Sequence, residues 1–143
     1  MWQYETTVVW KTGKEGKLHA GGNPEIGIAT PPDFGGPHNN WSPEQLLTGA
    51  VDACLMTSAL YYLAKAGVGL RSYMSNATAT MDKTRNGLAF TGVSVEISMT
   101  VADESDIEKA CEAVTRAEKS CPVSKALQCP VSVHADVRWL GKE

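Results

Sequence analysis

Apolar and polar positions alternate from the first residues: Trp2, Tyr4, Thr6, Val8 and Trp10 fall on one side, Gln3, Glu5, Thr7 and Val9 on the other. A period of two predicts a strand. Residues 11–17, with Gly13 and Gly16, predict a turn, and residues 17–20 a returning strand. A second turn at 21–24 leads to a short third strand at 25–29. Periodicity then lapses. Residues 30–42 hold Pro31, Pro32, Gly35, Gly36, Pro37, His38, Asn39 and Asn40, which predict a long irregular loop of the kind that often carries function.

The period changes at Ser42. Ser42 suits an N-cap, Pro43 the first helical position, and Gln45 closes an S-x-x-Q capping box. Gly67 supplies the stop, so a helix is predicted over about 43–65. Leu46, Leu47, Ala50, Val51, Ala53, Cys54, Leu55, Met56, Ala59, Leu60, Tyr61, Tyr62 and Leu63 cover nearly every side of it. A helix apolar all round needs cover all round, which a chain this small can hardly provide. The pattern therefore predicts a homodimer in which a second copy covers one side. Thr48, Asp52, Thr57 and Ser58 interrupt the apolar run and favour a core helix over a membrane span.

Strand signals return after Gly69, over residues 71–82, a turn at 83–87, and a longer strand at 88–101. In the latter Val93, Val95, Ile97 and Met99 alternate with Ser94, Glu96, Ser98 and Thr100, so the two strands read as a hairpin. A second helix is predicted at 105–119, with an apolar stripe at Ile107, Ala110, Cys111, Val114 and Ala117. Pro122 must end it and can open a short helix reaching Leu127. Residues 131–140 form the last strand. Three strands, helix, two strands, helix, strand is not a regular alternation, so the class is α+β with a largely antiparallel sheet, in one domain over 1–143.

Composition narrows the function. A net charge of −3 argues against nucleic acid or an anionic membrane as partner. Residues 1–5 lack a basic, then apolar, leader, so a cytoplasmic protein is expected. There, four cysteines read as catalytic, sensing, metal-binding or inert thiols rather than as a disulfide framework. No CxxC or HxxxH spacing links them to one another or to His19, His38 and His134, and no phosphate-binding glycine pattern occurs. Neither metal nor cofactor is expected.

Cys54, in the middle of the apolar helix, reads either as a small hydrophobe or as a reactive thiol. Cys121 lies between a helix end and Pro122, where free backbone N–H groups can stabilise a thiolate. Cys111 reads as structural, and Cys129, before Pro130, is ambiguous. Glu44 precedes Cys54 by ten residues, roughly 15 Å of helical rise. The two side chains cannot meet within one straight helix; acting together, they would come from different chains.

Thr30-Pro31 before Gly35-Gly36, then Ser42-Pro43-Glu44-Gln45-Leu46-Leu47, then Ala53-Cys54, resembles the OsmC/Ohr family of thiol peroxidases. Ser120-Cys121-Pro122-Val123-Ser124 is similar to that family's second cysteine motif. The resemblance implies an intertwined homodimer with two long central helices between curved sheets. It implies an active site at the dimer interface, where alkyl or lipid hydroperoxides are reduced to alcohols. Cys54 would be the peroxidatic thiol, Cys121 the resolving thiol, Glu44 part of the site, and a small dithiol or dithiol protein the reductant. The family pairs its glutamate with an arginine in the early glycine-rich turn. Here Lys14 stands in that turn and no arginine precedes Arg71. Lysine lacks arginine's planar fork, so a redox-sensing or ligand-binding protein with weak turnover is the alternative reading.

Overall fold

The computed structural model describes residues 1–141, which fall into two compact units, Met1–Leu47 and the described residues from Thr48 onward. In the first, strands β1 (Thr7–Thr12), β2 (Glu15–His19) and β3 (Ile26–Ala29) form an antiparallel sheet in that order. The first strand is shorter than its alternation predicts. Thr7 pairs with His19, the last residue of β2, so residues before Thr7 find no partner in that ladder. The β1–β2 turn is also tighter than predicted, with Gly13 at φ +52°.

The loop over 30–42 is not irregular. A single 3₁₀ turn at Pro32–Phe34 folds back on itself, with the Gly36 amide donating to the Pro31 carbonyl at 3.1 Å. A Cβ on Gly36 would sit 1.6 Å from the Thr30 carbonyl oxygen, so only glycine fits this close crossing. Trp41 then runs parallel beside β3, its amide donating to Gly27 and its carbonyl accepting from Ala29. Prolines and glycines here encode a tight fold rather than slack chain.

Helix α1 spans Pro43–Lys65, as its end signals predict. The capping box is formed in both directions: the Gln45 amide donates to Ser42 Oγ at 3.1 Å, and the Ser42 amide to Gln45 Oε1 at 3.0 Å.

The second unit holds most of α1 and a sheet ordered β4 (Leu70–Thr84), β5 (Gly87–Val101), β6 (Val131–Trp139). β4 and β5 are an antiparallel hairpin. β6 lies parallel to β5, a pairing that needs a crossover, here supplied by α2 (Asp106–Ser120) and α3 (Pro122–Lys125). The α+β class and the largely antiparallel sheets agree with the sequence pattern; the parallel pair is the exception.

One core cluster joins these elements: Val51, Leu55, Ala59 and Leu63 of α1, alternate residues Val93 to Val101 of β5, and Ala110, Ala113, Val114 and Ala117 of α2. The small residues on α2 let it approach the sheet closely. One expectation is corrected: Cys111 is exposed, and Ala113 takes its place in the buried stripe. Helix α1 buries only its i, i+4 stripe within the chain, and Leu60 and Tyr61 are exposed, in keeping with the expectation that one chain cannot cover it on every side. By length and composition alone α1 would pass for a membrane span. Its stripe, however, belongs to a sheet-and-helix core, and its Asp52 accepts a short hydrogen bond from Ser75 Oγ on β4.

Candidate functional site

Two thiols far apart in the sequence face one another inside the second unit. Cys54 comes from the middle of α1, where it is half-buried beside the core. Ser58, one turn on, places its hydroxyl 3.9 Å from the Cys54 sulfur. Cys121 is fully buried, at 0% exposure, where α2 ends and α3 begins.

The junction follows from local chemistry. The Cys121 amide closes α2 by donating to Ala117 O at 2.9 Å, while its own extended backbone (φ −62°, ψ 110°) turns the chain out of the helix. Pro122 starts the next turn without an N–H of its own. The donors that follow, the amides of Val123 and Ser124 and the Ser124 hydroxyl, all act on the Cys121 sulfur. The hydroxyl donates to it at 3.3 Å.

These surroundings split the pair. Burial pushes the Cys121 thiol up, but the Ser124 hydroxyl, the Cys54 thiol and the two amides together hold it below the ordinary thiol value of 9.0. Burial pushes Cys54 above that value, and donation of its proton toward Cys121 pushes it further; the Val123 amide and Ser58 act the other way. Two acids that close ionise one at a time, and hydrogen-bond donors rather than solvent favour the charge on Cys121.

Of the other predicted site residues, Glu44, Lys14 and His38 belong to the first unit and Cys129 to the second. Glu44 occupies the first turn of α1, half-buried. Lys14 is exposed in the β1–β2 turn, with Nζ donating to the Phe34 carbonyl at 2.9 Å and its own carbonyl accepting from the Thr30 amide. It clasps the Pro31–Gly36 turn. His38 is exposed in that loop, and its carbonyl accepts from Asn40. Cys129 is half-buried against the core. Among the described residues no group of three or more His, Cys, Asp and Glu side chains is placed to hold a metal ion. The residue that pattern reading missed is Ser124. Its signal was present, since a hydroxyl three residues after the head of a proline-started turn stands where it can reach back to that head.

The fold has close counterparts among solved structures. An OsmC-like protein of unknown function from Vibrio cholerae superposes with a TM-score of 0.87 at 18% identity, covering 95% of this chain and 100% of that one. An organic hydroperoxide resistance protein from Legionella pneumophila gives a TM-score of 0.75 at 21% identity, with 96% and 97% coverage. The organic hydroperoxide resistance protein OhrB of Bacillus subtilis gives 0.68 at 22%, with 96% and 98% coverage. At such identities the likeness concerns the fold. No curated protein matches the chain by sequence. The model of the OsmC-like protein family, however, matches residues 36–136, a stretch that runs from the glycine turn through both cysteine motifs nearly to the end of the last strand. By that match, the chain belongs to the OsmC-like protein family.

Proposed function

We propose that this protein is a thiol-dependent peroxidase that reduces organic hydroperoxides to alcohols. Cys54 attacks the peroxide and becomes a sulfenic acid; Cys121 resolves it as a disulfide, which a small dithiol or dithiol protein reduces. The observation that carries this reading is the facing pair of free thiols, one half-buried and one fully buried, with the buried one held toward thiolate. The names of the Legionella and Bacillus counterparts favour a hydroperoxide as substrate.

The uncovered apolar side of α1 supports a homodimer, with an apolar pocket at its interface suited to alkyl or lipid chains. The family match crosses the boundary between the two units and supports one domain over the whole chain. In the dimer Glu44 of one protomer serves the thiols of the other, since ten residues of helix separate it from Cys54 in its own chain. Reduced, unpaired cysteines fit a cytoplasmic setting.

Mixing reduced protein with cumene hydroperoxide and counting free thiols tests the reaction. Two thiols per chain should disappear rapidly and return with a dithiol, in repeated cycles. Slow loss spread over all four cysteines would overturn it. Glu44→Gln should lower the rate about tenfold or more without unfolding the protein; an unchanged rate removes Glu44 from the site. One observation favours a second reading. Cys54 is held in its protonated form and Lys14 is engaged by Phe34, which suits a slow redox sensor. A single oxidation without steady-state turnover would select that alternative.

A further inference from the structure

At its C-terminal end α1 borders a cavity of about 240 Å³ that it shares with α2. The floor is apolar: the Tyr62 ring, Ala66 and Ala113, of which Ala113 is buried and Tyr62 packs on the core. The rim is charged, with Lys65, Lys109 and Arg116 set against a single carboxylate, Glu112. Three cations and one anion leave this rim positive in a chain whose net charge is −3. We infer that the cavity binds a small molecule with one carboxylate and an apolar body, the carboxylate on the cations and the body on Tyr62 and the two alanines.

Helical spacing builds the site. Tyr62, Lys65 and Ala66 fall at i, i+3 and i+4, and so share one face of α1; Lys109, Ala113 and Arg116 do the same on α2 at i, i+4 and i+7. Alanine at 66 and 113 keeps the space between the helices open. Tyr62 is steadied by Tyr61, edge to face at 5.1 Å. The cations are available to a ligand. Lys109 makes no ion pair among the described residues, although Asp103 feels its charge. Lys65 Nζ stands 5.9 Å from the centre of the Tyr61 ring, a weak contact at an exposed side chain. Arg116 meets Glu112 at 3.5 Å with both side chains more than half exposed, a pair of little worth in water that a ligand carboxylate can displace.

The walls also select against a bare phosphate. Phosphate sites present free backbone N–H groups. Here residues 109–116 lie inside α2, and the last amides of α1 point inward: Ala66 donates to Tyr62 O, Gly67 to Ala64 O and Val68 to Leu63 O. The end of α1 contributes carbonyl oxygens, whose partial negative charge disfavours a dianion. A monoanion that lays an apolar body on Tyr62 suits both conditions. A volume of about 240 Å³ lies below the roughly 300 Å³ at which drug-sized pockets begin, so the body is one or two rings or a short chain. Lys65 follows Cys54 by eleven residues, roughly 16 Å of helical rise. The site therefore stands apart from the thiols and does not rest on the peroxidase reading.

Cinnamate tests it, in protein carrying carbon-13 at its alanine methyls. Titration should shift the Ala66 and Ala113 methyls first and to saturation, with a Kd on the order of 1 mM, as its small number of heavy atoms allows. Cinnamamide, nearly the same shape without the charge, should bind about fivefold more weakly or worse. The same loss is expected for cinnamate on the Lys109→Ala/Arg116→Ala double variant. Both side chains are exposed, so its far-UV circular dichroism should match that of the wild type. Glu112→Gln removes the competing carboxylate and should tighten cinnamate binding about twofold. Added salt should weaken cinnamate and spare cinnamamide. Inorganic phosphate at equal concentration should leave both methyls unmoved. Equal affinity for acid and amide, or unchanged affinity in the double variant, overturns the proposal. So does saturation by phosphate, or a response at other alanines while Ala66 and Ala113 stay still.

Discussion

Cys54→Ser stays folded and loses hydroperoxide reduction, by about 10⁴-fold or more, the scale on which removal of a covalent nucleophile is felt. The replacement is close in shape, and Cys54 is only half-buried, so little packing is lost. What disappears is the one sulfur of the pair that solvent reaches. Cys121 cannot stand in for it, because at 0% exposure it offers a peroxide no approach. Cys111, exposed on α2, is open to oxidants but has no facing thiol described, so Cys111→Ser serves as the control that should leave turnover intact. Consumption of cumene hydroperoxide by each variant, with a dithiol as reductant, reads the result. Turnover by Cys54→Ser at anything near the wild-type rate would falsify the assignment of the nucleophile.

The largest stability effect is expected at Leu55, one residue along α1. Its side chain is at 0% exposure and belongs to the core cluster with β5 and α2. Leu55→Ala removes buried methyl groups and leaves a cavity, a change that costs about 2–5 kcal/mol. The high end applies where the surroundings cannot collapse. Here the neighbours are anchored: β5 is the central strand of its sheet, bonded on both sides, and the Ala110, Ala113 and Ala117 side chains of α2 are too short to swing inward. A value of about 3 kcal/mol or more by urea denaturation is therefore expected, and a loss below about 1 kcal/mol would mean that α1 is not held as described. Since the same helix carries Cys54, any shift of α1 into the cavity should also disturb the thiol pair.

The helices and the candidate thiols were legible because their signals are local. Ser42, Pro43 and Gln45 carry the start of α1 in three residues, and the alternation from Val93 to Val101 carries the buried strand. What was not legible depends on partners distant in sequence. The direction of β6 is set by the α2–α3 crossover, and nothing within Val131–Trp139 reveals that it runs parallel to β5. The alternation before Thr7 predicted strand where the ladder offers no partner. The loop at 30–42 looked slack because prolines and glycines mark turns without showing that the turns close on themselves and on Lys14. The α2 stripe went astray at Cys111 because an apolar type was read as a buried one, while Ala113 was passed over. The cysteines themselves were found by type and motif, but the division of charge between them depends on Ser124, which only the fold brings to bear.

Helix α1 is greasy around its whole circumference yet shielded by its own chain along a single stripe. On the proposed pairing, a newly synthesised protomer is vulnerable until it meets its twin. The encounter rate then scales with how much of the chain the cell makes at once, and clumping competes with correct assembly during the wait.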